Sequence, residues 1–245
     1  MSPPPKDATP SGAMGNAIRF GQSLVTDTRA NAKAYVGNGL NCVNCHLDAG
    51  RQAYAAPFVG LTAVFPEYRP RRGRLESLAE RINDCFVRSM NGKPLPQDSA
   101  EMNALLAYTA WLSKGVPVGV EVQGRGFKDI KPSSKPNPAR GQTLYASKCA
   151  ACHGAQGEGR RVANNIYTFP PLWGSQSFNT GAGMARVSVA AAFVQAKMPL
   201  GAGGTLSDQD AYDIAAFFTA KPRPSFKGAK NDWPRGGAPS DARRD

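Results

Sequence analysis

Apolar residues recur at three-to-four spacing in six stretches of the chain, which predicts six amphipathic helices in two series of three. The first series is NAIRFGQSLVTD, LESLAERINDCFVRSM and SAEMNALLAYTAWLSKG; the second is NPARGQTLYASKC, RVSVAAAFVQAKM and SDQDAYDIAAFFTAKP. Ser99-Ala100-Glu101 and Ser207-Asp208 supply N-terminal caps for the last helix of each series, and Gly115 and Pro222 supply stops. After the first helix of each series runs a Gly- and Pro-rich loop, HLDAGRQAYAAPFVGL in one half and HGAQGEGRRVANNIYTFPPLWG in the other. The same order of elements occurs twice, so the pattern predicts an all-α fold of two related domains, with strand minor and confined to loops.

Between the two series, VPVGVEVQGRGFKDIKPSSKPNP loses helical periodicity and gains Gly, Pro, Ser and Lys, the composition of an extended linker. The expected organisation is a flexible N-terminus over 1–15, a first domain over 16–116, the linker over 117–138, a second domain over 139–222 and a C-terminal tail over 223–245. That tail reads as extended, solvated and basic, with Trp233 its one candidate anchor.

Composition narrows the function. A hydrophobic content of 41% and a charged content of 20% suit a soluble globular protein, slightly short of apolar residues. No window approaches the roughly 18 uninterrupted apolar residues of a membrane span. The N-terminus has no apolar stretch of the signal-peptide kind, so the sequence reads as a mature form if the protein is exported. The net charge of +12 admits nucleic acid, an anionic substrate or an acidic protein partner. Nucleic acid is disfavoured, because the basic residues are scattered and no recognition-helix or zinc-finger pattern surrounds them.

Cysteine carries the strongest signal. Cys42-Val43-Asn44-Cys45-His46 and Cys149-Ala150-Ala151-Cys152-His153 both read C-x-x-C-H, the attachment signature of c-type haem. Two thiols three residues apart reach the two vinyl groups of one porphyrin, and the following histidine ligates the iron. Together the two copies consume four of the five cysteines and both histidines. A zinc site would need a fourth ligand for each triplet and no spare histidine exists. A thioredoxin-like site would need a βαβ context that neither copy has. Two covalently bound haem c groups are therefore expected, and thioether attachment outside the cytoplasm implies a periplasmic location.

The second iron ligands are less determined. In the second half Met198, after a helix and before Pro199, is the candidate, with Lys197 adjacent and able to bind ferric iron when deprotonated. In the first half Met90 falls near the equivalent slot but lacks the proline, and Met102 on the closing helix is weaker. Cys85 competes with both. A free cysteine is commonly a small buried hydrophobe; outside the cytoplasm, however, a lone thiol is an oxidation hazard without a disulfide partner. Arg81, Cys85 and Ser89 stand at i, i+4 and i+8, on one helical face, and a neighbouring cation stabilises the thiolate that binds iron. Spacing alone leaves Cys85 open between ligand, nucleophile and packing residue.

The stretches NGLNCVNCH, APFVG, RINDCFVRSMNG, FPPLWG, SFNTGAGM and KMPLG, in this order, closely resemble the dihaem thiosulfate dehydrogenases, from about Asn16 to Pro224. The resemblance implies an enzyme that couples two thiosulfates to tetrathionate and releases two electrons, with some members favouring the reverse. It implies a catalytic first haem ligated by His46 and the Cys85 thiolate, and an electron-exit haem with His153 and either Lys197 or Met198. It further implies that Arg71, Arg74, Arg81 and Ser89 surround the catalytic haem, and that a cytochrome-type protein or another one-electron acceptor takes the electrons. A non-enzymatic dihaem electron carrier is the chief alternative, expected to use Met90 on the first iron. A Cys-ligated subunit of a sulfur-carrier system and a dihaem peroxidase are further rivals.

Overall fold

All six helices form. In the computed structural model, which describes residues 2–161 and 167–243, they are α1 (Gly12–Thr26), α2 (Leu78–Arg88), α3 (Ala100–Leu112), α4 (Pro138–Lys148), α5 (Val187–Lys197) and α6 (Asp208–Thr219). Among the described residues strand is confined to two small antiparallel pairs, β1 (Glu67–Arg69) with β2 (Arg74–Glu76), and β3 (Arg160–Arg161) with β4 (Tyr167–Phe169). Residues 162–166, inside the second Gly- and Pro-rich loop, lie outside the described residues. The first helix starts at Gly12 rather than Asn16.

Helix starts follow the capping chemistry. Ser99 and Ser207 accept from the backbone N–H of Met102 and Asp210, and Asn137 accepts from Ala139 and Arg140 with Pro138 in the first turn. At α2, Ser77 and Glu80 exchange reciprocal bonds, a capping box that fixes where the helix carrying Cys85 begins.

In each domain the first helix crosses the closing one: α1 lies on α3, and α4 on α6, which also carries α5. Both crossings turn on a glycine in matching sequence, FGQSL and RGQTL. A Cβ at Gly21 would overlap the Ala104 carbonyl, and one at Gly141 the Asp213 carbonyl. A buried tyrosine then ties each crossing to the haem motif. Tyr108 on α3 donates to the Ala49 carbonyl at 2.8 Å, and Tyr145 on α4 donates to the Gly154 carbonyl at 2.8 Å. Such a bond contributes about 1 kcal/mol net, beyond the apolar area the ring buries.

The first core gathers Ile18, Leu24, Phe86, Leu105 and Tyr108; the second gathers Tyr145, Phe178, Ile214 and Phe218. Leu40 and Met90 of the first half sit in the second core, so apolar packing crosses the domain boundary.

The linker carries no helix or strand before Pro138 and is docked from about Val122 onward. The amides of Tyr54 and Ala56 donate to the Gly124 and Gly126 carbonyls at 2.7 and 2.8 Å, and Arg125 pairs with Glu67 at 2.8 Å. Ile130 enters the second core. The tail departs from the expected solvated form. Trp233 is 7% exposed, Asp232 pairs with Arg88, and Asp241 accepts from the Arg186 Nε and the Ser188 N–H, each at 2.8 Å. Its few apolar residues hid this, because the segment is held by ion pairs whose partners are distant in sequence.

Candidate functional site

Each C-x-x-C-H copy lies on a short helical turn, Cys42–Asn44 in the first domain and Ala150–His153 in the second. His46 Nδ1 is 2.6 Å from the Ala56 carbonyl and His153 Nδ1 is 2.9 Å from the Pro170 carbonyl. A carbonyl only accepts, so Nδ1 carries the proton in both and Nε2 is left with the lone pair a metal takes. Burial pushes His46 down to about 4, opposed by its carbonyl partner and helped by Arg81. The ring therefore stays neutral, as a ligand must. Burial also pushes Cys42 and Cys45 up to about 11 and about 12, with Cys85 adding to both. Such sulfurs suit thioether linkage, which leaves no charge to bury.

Cavities lie beside both motifs. The first, of about 1040 Å³, is bordered by Cys42, His46, Phe58, Arg81, Cys85 and Ser89 among others. The second, of about 290 Å³, is bordered by Cys149, Cys152, His153, Phe178, Phe218 and Met198 among others. Cys45 borders the second cavity rather than the first, so one C-x-x-C segment forms a wall between the two. Cys42 and His46 border the first cavity and Cys149, Cys152 and His153 the second, each with a further sulfur donor in the lining, Cys85 or Met198, which is the chemistry of a haem c donor set. Among the described residues no group of three His, Cys, Asp or Glu could hold a bare metal ion, and all five cysteines are unpaired.

Cys85 sits on α2 with Arg81 Nη1 donating to its Sγ at 3.4 Å, the i, i+4 contact read from the sequence. Electrostatic interaction with Cys85, foremost, raises Arg81. Ser89 caps the same helix and borders the cavity. Arg71 borders it too, whereas Arg74 does not: its guanidinium turns outward to Glu80 at 2.6 Å and the Leu75 carbonyl at 2.9 Å. The RPRRGR cluster is the turn of the β1–β2 hairpin, where Arg69 pairs across from Arg74. The structure thus brings together four of the five predicted catalytic residues and leaves Arg74 on the exterior. Met90 is buried and borders the same cavity, while Met102 belongs to the first core. In the second domain Met198 borders the cavity and Lys197, at the end of α5, does not; partial burial lowers Lys197.

Sequence reasoning missed several cations at the first cavity, namely Arg69, Arg72, Arg88, Arg125 and Arg186. Most are matched by carboxylates. Arg72 pairs with Asp84 and Glu76, Arg69 and Arg125 with Glu67, and Arg186 with Asp241. Burial pushes Glu76 up, with Asp84 adding and Arg81, Arg72 and Arg69 opposing. Among the described residues Arg81 differs from these in making its side-chain hydrogen bond to sulfur alone. Arg88 was findable, since it stands at i+7 from Arg81 on the stripe that carries Cys85.

Two attachment motifs, two carbonyl-oriented histidines and two cavities define a dihaem c-type cytochrome. Comparison with known proteins makes the class more specific. Residues 31–118 match the SoxA/TsdA, cytochrome c domain family, and residues 138–220 match the cytochrome c family. A thiosulfate dehydrogenase from Psychrobacter arcticus is 46% identical over 241 residues, covering 98% of this chain and 74% of its own. Another from Allochromatium vinosum is 48% identical over 227 residues, covering 91% and 84%. The solved thiosulfate dehydrogenase (TsdBA) of Marichromatium purpuratum, in its as-isolated form, superposes with a TM-score of 0.90 at 38% identity. That match covers 98% of this chain and 54% of the other, so this chain spans about half the length of that protein. The chain belongs to the thiosulfate dehydrogenase family and, like its relatives, is built for two haem c groups. Among the described residues no helix is long and apolar enough to cross a membrane.

Proposed function

We propose that the protein oxidises thiosulfate at the first cavity, joining two molecules into tetrathionate, and delivers the two electrons through the second site to a one-electron acceptor such as another cytochrome. The observation that carries this reading is the Cys85 sulfur, held at the cavity beside His46 with the Arg81 guanidinium 3.4 Å away. The bound haems supply iron centres that take electrons singly, which divides a two-electron sulfur coupling between one-electron carriers.

The residues of the chain supply the rest. Bringing two dianions together costs several kcal/mol at a few ångströms in a partly buried site, and fixed cations offset that repulsion. Arg71 and Arg81 are the cations placed to do so, with Ser89 offering a hydroxyl beside them. The Cys85 thiolate attacks the terminal sulfur of one thiosulfate, and loss of two electrons leaves a cysteine-bound S–SO3 group. The sulfane sulfur of that group is attacked by the second thiosulfate, which releases tetrathionate and regenerates the thiolate. Charge balances in both steps, and no proton is required. Because haem is attached to C-x-x-C-H segments outside the cytoplasm, the enzyme acts in the periplasm.

Mixing the holoenzyme with thiosulfate and ferricyanide tests the reading: acceptor reduction and tetrathionate are expected in a ratio of two to one. Mass spectrometry of enzyme treated with thiosulfate is expected to show the added group on Cys85. Undiminished turnover by Cys85→Gly would sink the role given to this residue, and absence of turnover in the unsubstituted protein would favour an electron carrier.

A further inference from the structure

The segment after the second domain brings a carboxylate to the cationic wall of the first cavity. Asp232 accepts from Arg88 Nη1 and Nη2 at 2.8 and 2.7 Å, a bidentate pair whose side chains are 3% and 5% exposed. The same carboxylate lies 3.1 Å from Arg71 Nε, although not at a hydrogen-bonding angle, and that Nε has no other acceptor among the described residues. Trp233 completes the grip. Its backbone N–H donates to the Arg71 carbonyl at 2.9 Å, and its ring lies 4.7 Å from the Arg71 guanidinium carbon. Arg71 Nη1 donates to the Gly181 carbonyl at 2.9 Å. No hydrogen bond of its Nη2 is found among the described residues, and Arg71 borders the cavity.

The arrangement has an electrostatic reason. Arg71 and Arg88 are both cavity residues and repel one another: burial pushes Arg71 down to about 10, Arg88 adds to that, and Asp232 opposes it. Without the carboxylate between them, two partly desolvated guanidiniums would have to separate. With it, one charge is cancelled in place and the other stays available. Stacking on Trp233 and the hydrogen bond to the Gly181 carbonyl restrict the Arg71 side chain, so the group that meets the anion loses little entropy on binding. All of these holding contacts come from the second half of the chain, while the sulfur chemistry is in the first.

We propose that Asp232 is a positioning residue for the thiosulfate site, holding Arg71 and Arg88 together so that Arg71 meets the substrate anion; this rests on the function proposed above. The test is steady-state kinetics of the dihaem holoenzyme with thiosulfate and ferricyanide, for Asp232→Asn, Asp232→Glu, Arg71→Gln and the double variant Asp232→Asn/Arg71→Gln. Haem content and thermal melting are followed for each. Asp232→Asn is expected to raise KM for thiosulfate about tenfold with kcat within about twofold, and Asp232→Glu to recover part of the loss. A residue acting through Arg71 adds nothing once Arg71 is gone, so the double variant is expected to match Arg71→Gln. A wild-type KM in Asp232→Asn, or losses that multiply in the double variant, would overturn the assignment. Should Asp232→Asn fail to fold, Trp233→Leu takes its place, removing the ring beside Arg71 without touching the Arg88 pair. There a KM rise of about threefold is expected, and a wild-type KM would overturn the proposal. Absence of thiosulfate-dependent reduction in the unsubstituted holoenzyme would overturn the functional reading, and this assignment with it.

Discussion

The two haem sites are built with the same tools. Each has a crossing glycine, Gly21 or Gly141, a tyrosine tied to the loop after the motif, and a histidine whose Nδ1 is spent on a backbone carbonyl. They differ in what surrounds the iron ligands. The first cavity, at about 1040 Å³, is bordered by arginines and by a cysteine; the second, at about 290 Å³, is bordered mainly by apolar side chains and by Met198. A duplicated scaffold thus surrounds its two cavities differently, with more room and more positive charge at the first. Folding needs the shared tools, and chemistry needs the unshared residues.

That contrast can be broken most severely at Cys85. Cys85→Gly is expected to lower thiosulfate turnover by at least about a thousandfold while both haems remain attached, measured by acceptor reduction and haem staining. Arg81→Gln removes the cation from the sulfur and is expected to cost about a hundredfold in kcat/KM. Met198→Leu acts on the other copy. It is expected to shift the reduction potential of the second haem, leave that of the first in place, and slow turnover about tenfold, as spectroelectrochemistry and kinetics would show. Arg74→Ala is the smallest change. Because its guanidinium points to Glu80 and away from the cavity, kcat/KM is expected to stay within about twofold of the unsubstituted enzyme. A loss as large as that of Arg81→Gln would restore Arg74 to the site that the family resemblance implies for it.

The helices, their caps and the duplication were legible from periodicity, because amphipathic spacing and Ser caps act within a few residues of themselves. Cys85, Arg81 and Ser89 were legible for the same reason, as neighbours on one helical face. The direction of the Arg74 side chain was not legible, because a cluster such as RPRRGR does not say where its turn falls. Trp233 was legible as a candidate anchor, but Asp232 stayed hidden in a segment with the composition of a solvated tail. Their partners, Arg71 and Arg88, stand more than a hundred positions earlier, beyond any local pattern.

The docking of Gly124 and Gly126 onto Tyr54 and Ala56 bears on how the chain can be divided. Ala56 is also the residue whose carbonyl orients His46. A fragment ending at residue 116 would keep every ligand of the first haem and lose the clamp that sets the angle of its imidazole. The boundary that looks like a seam between two modules is crossed by the hydrogen bonds that hold the residue orienting His46.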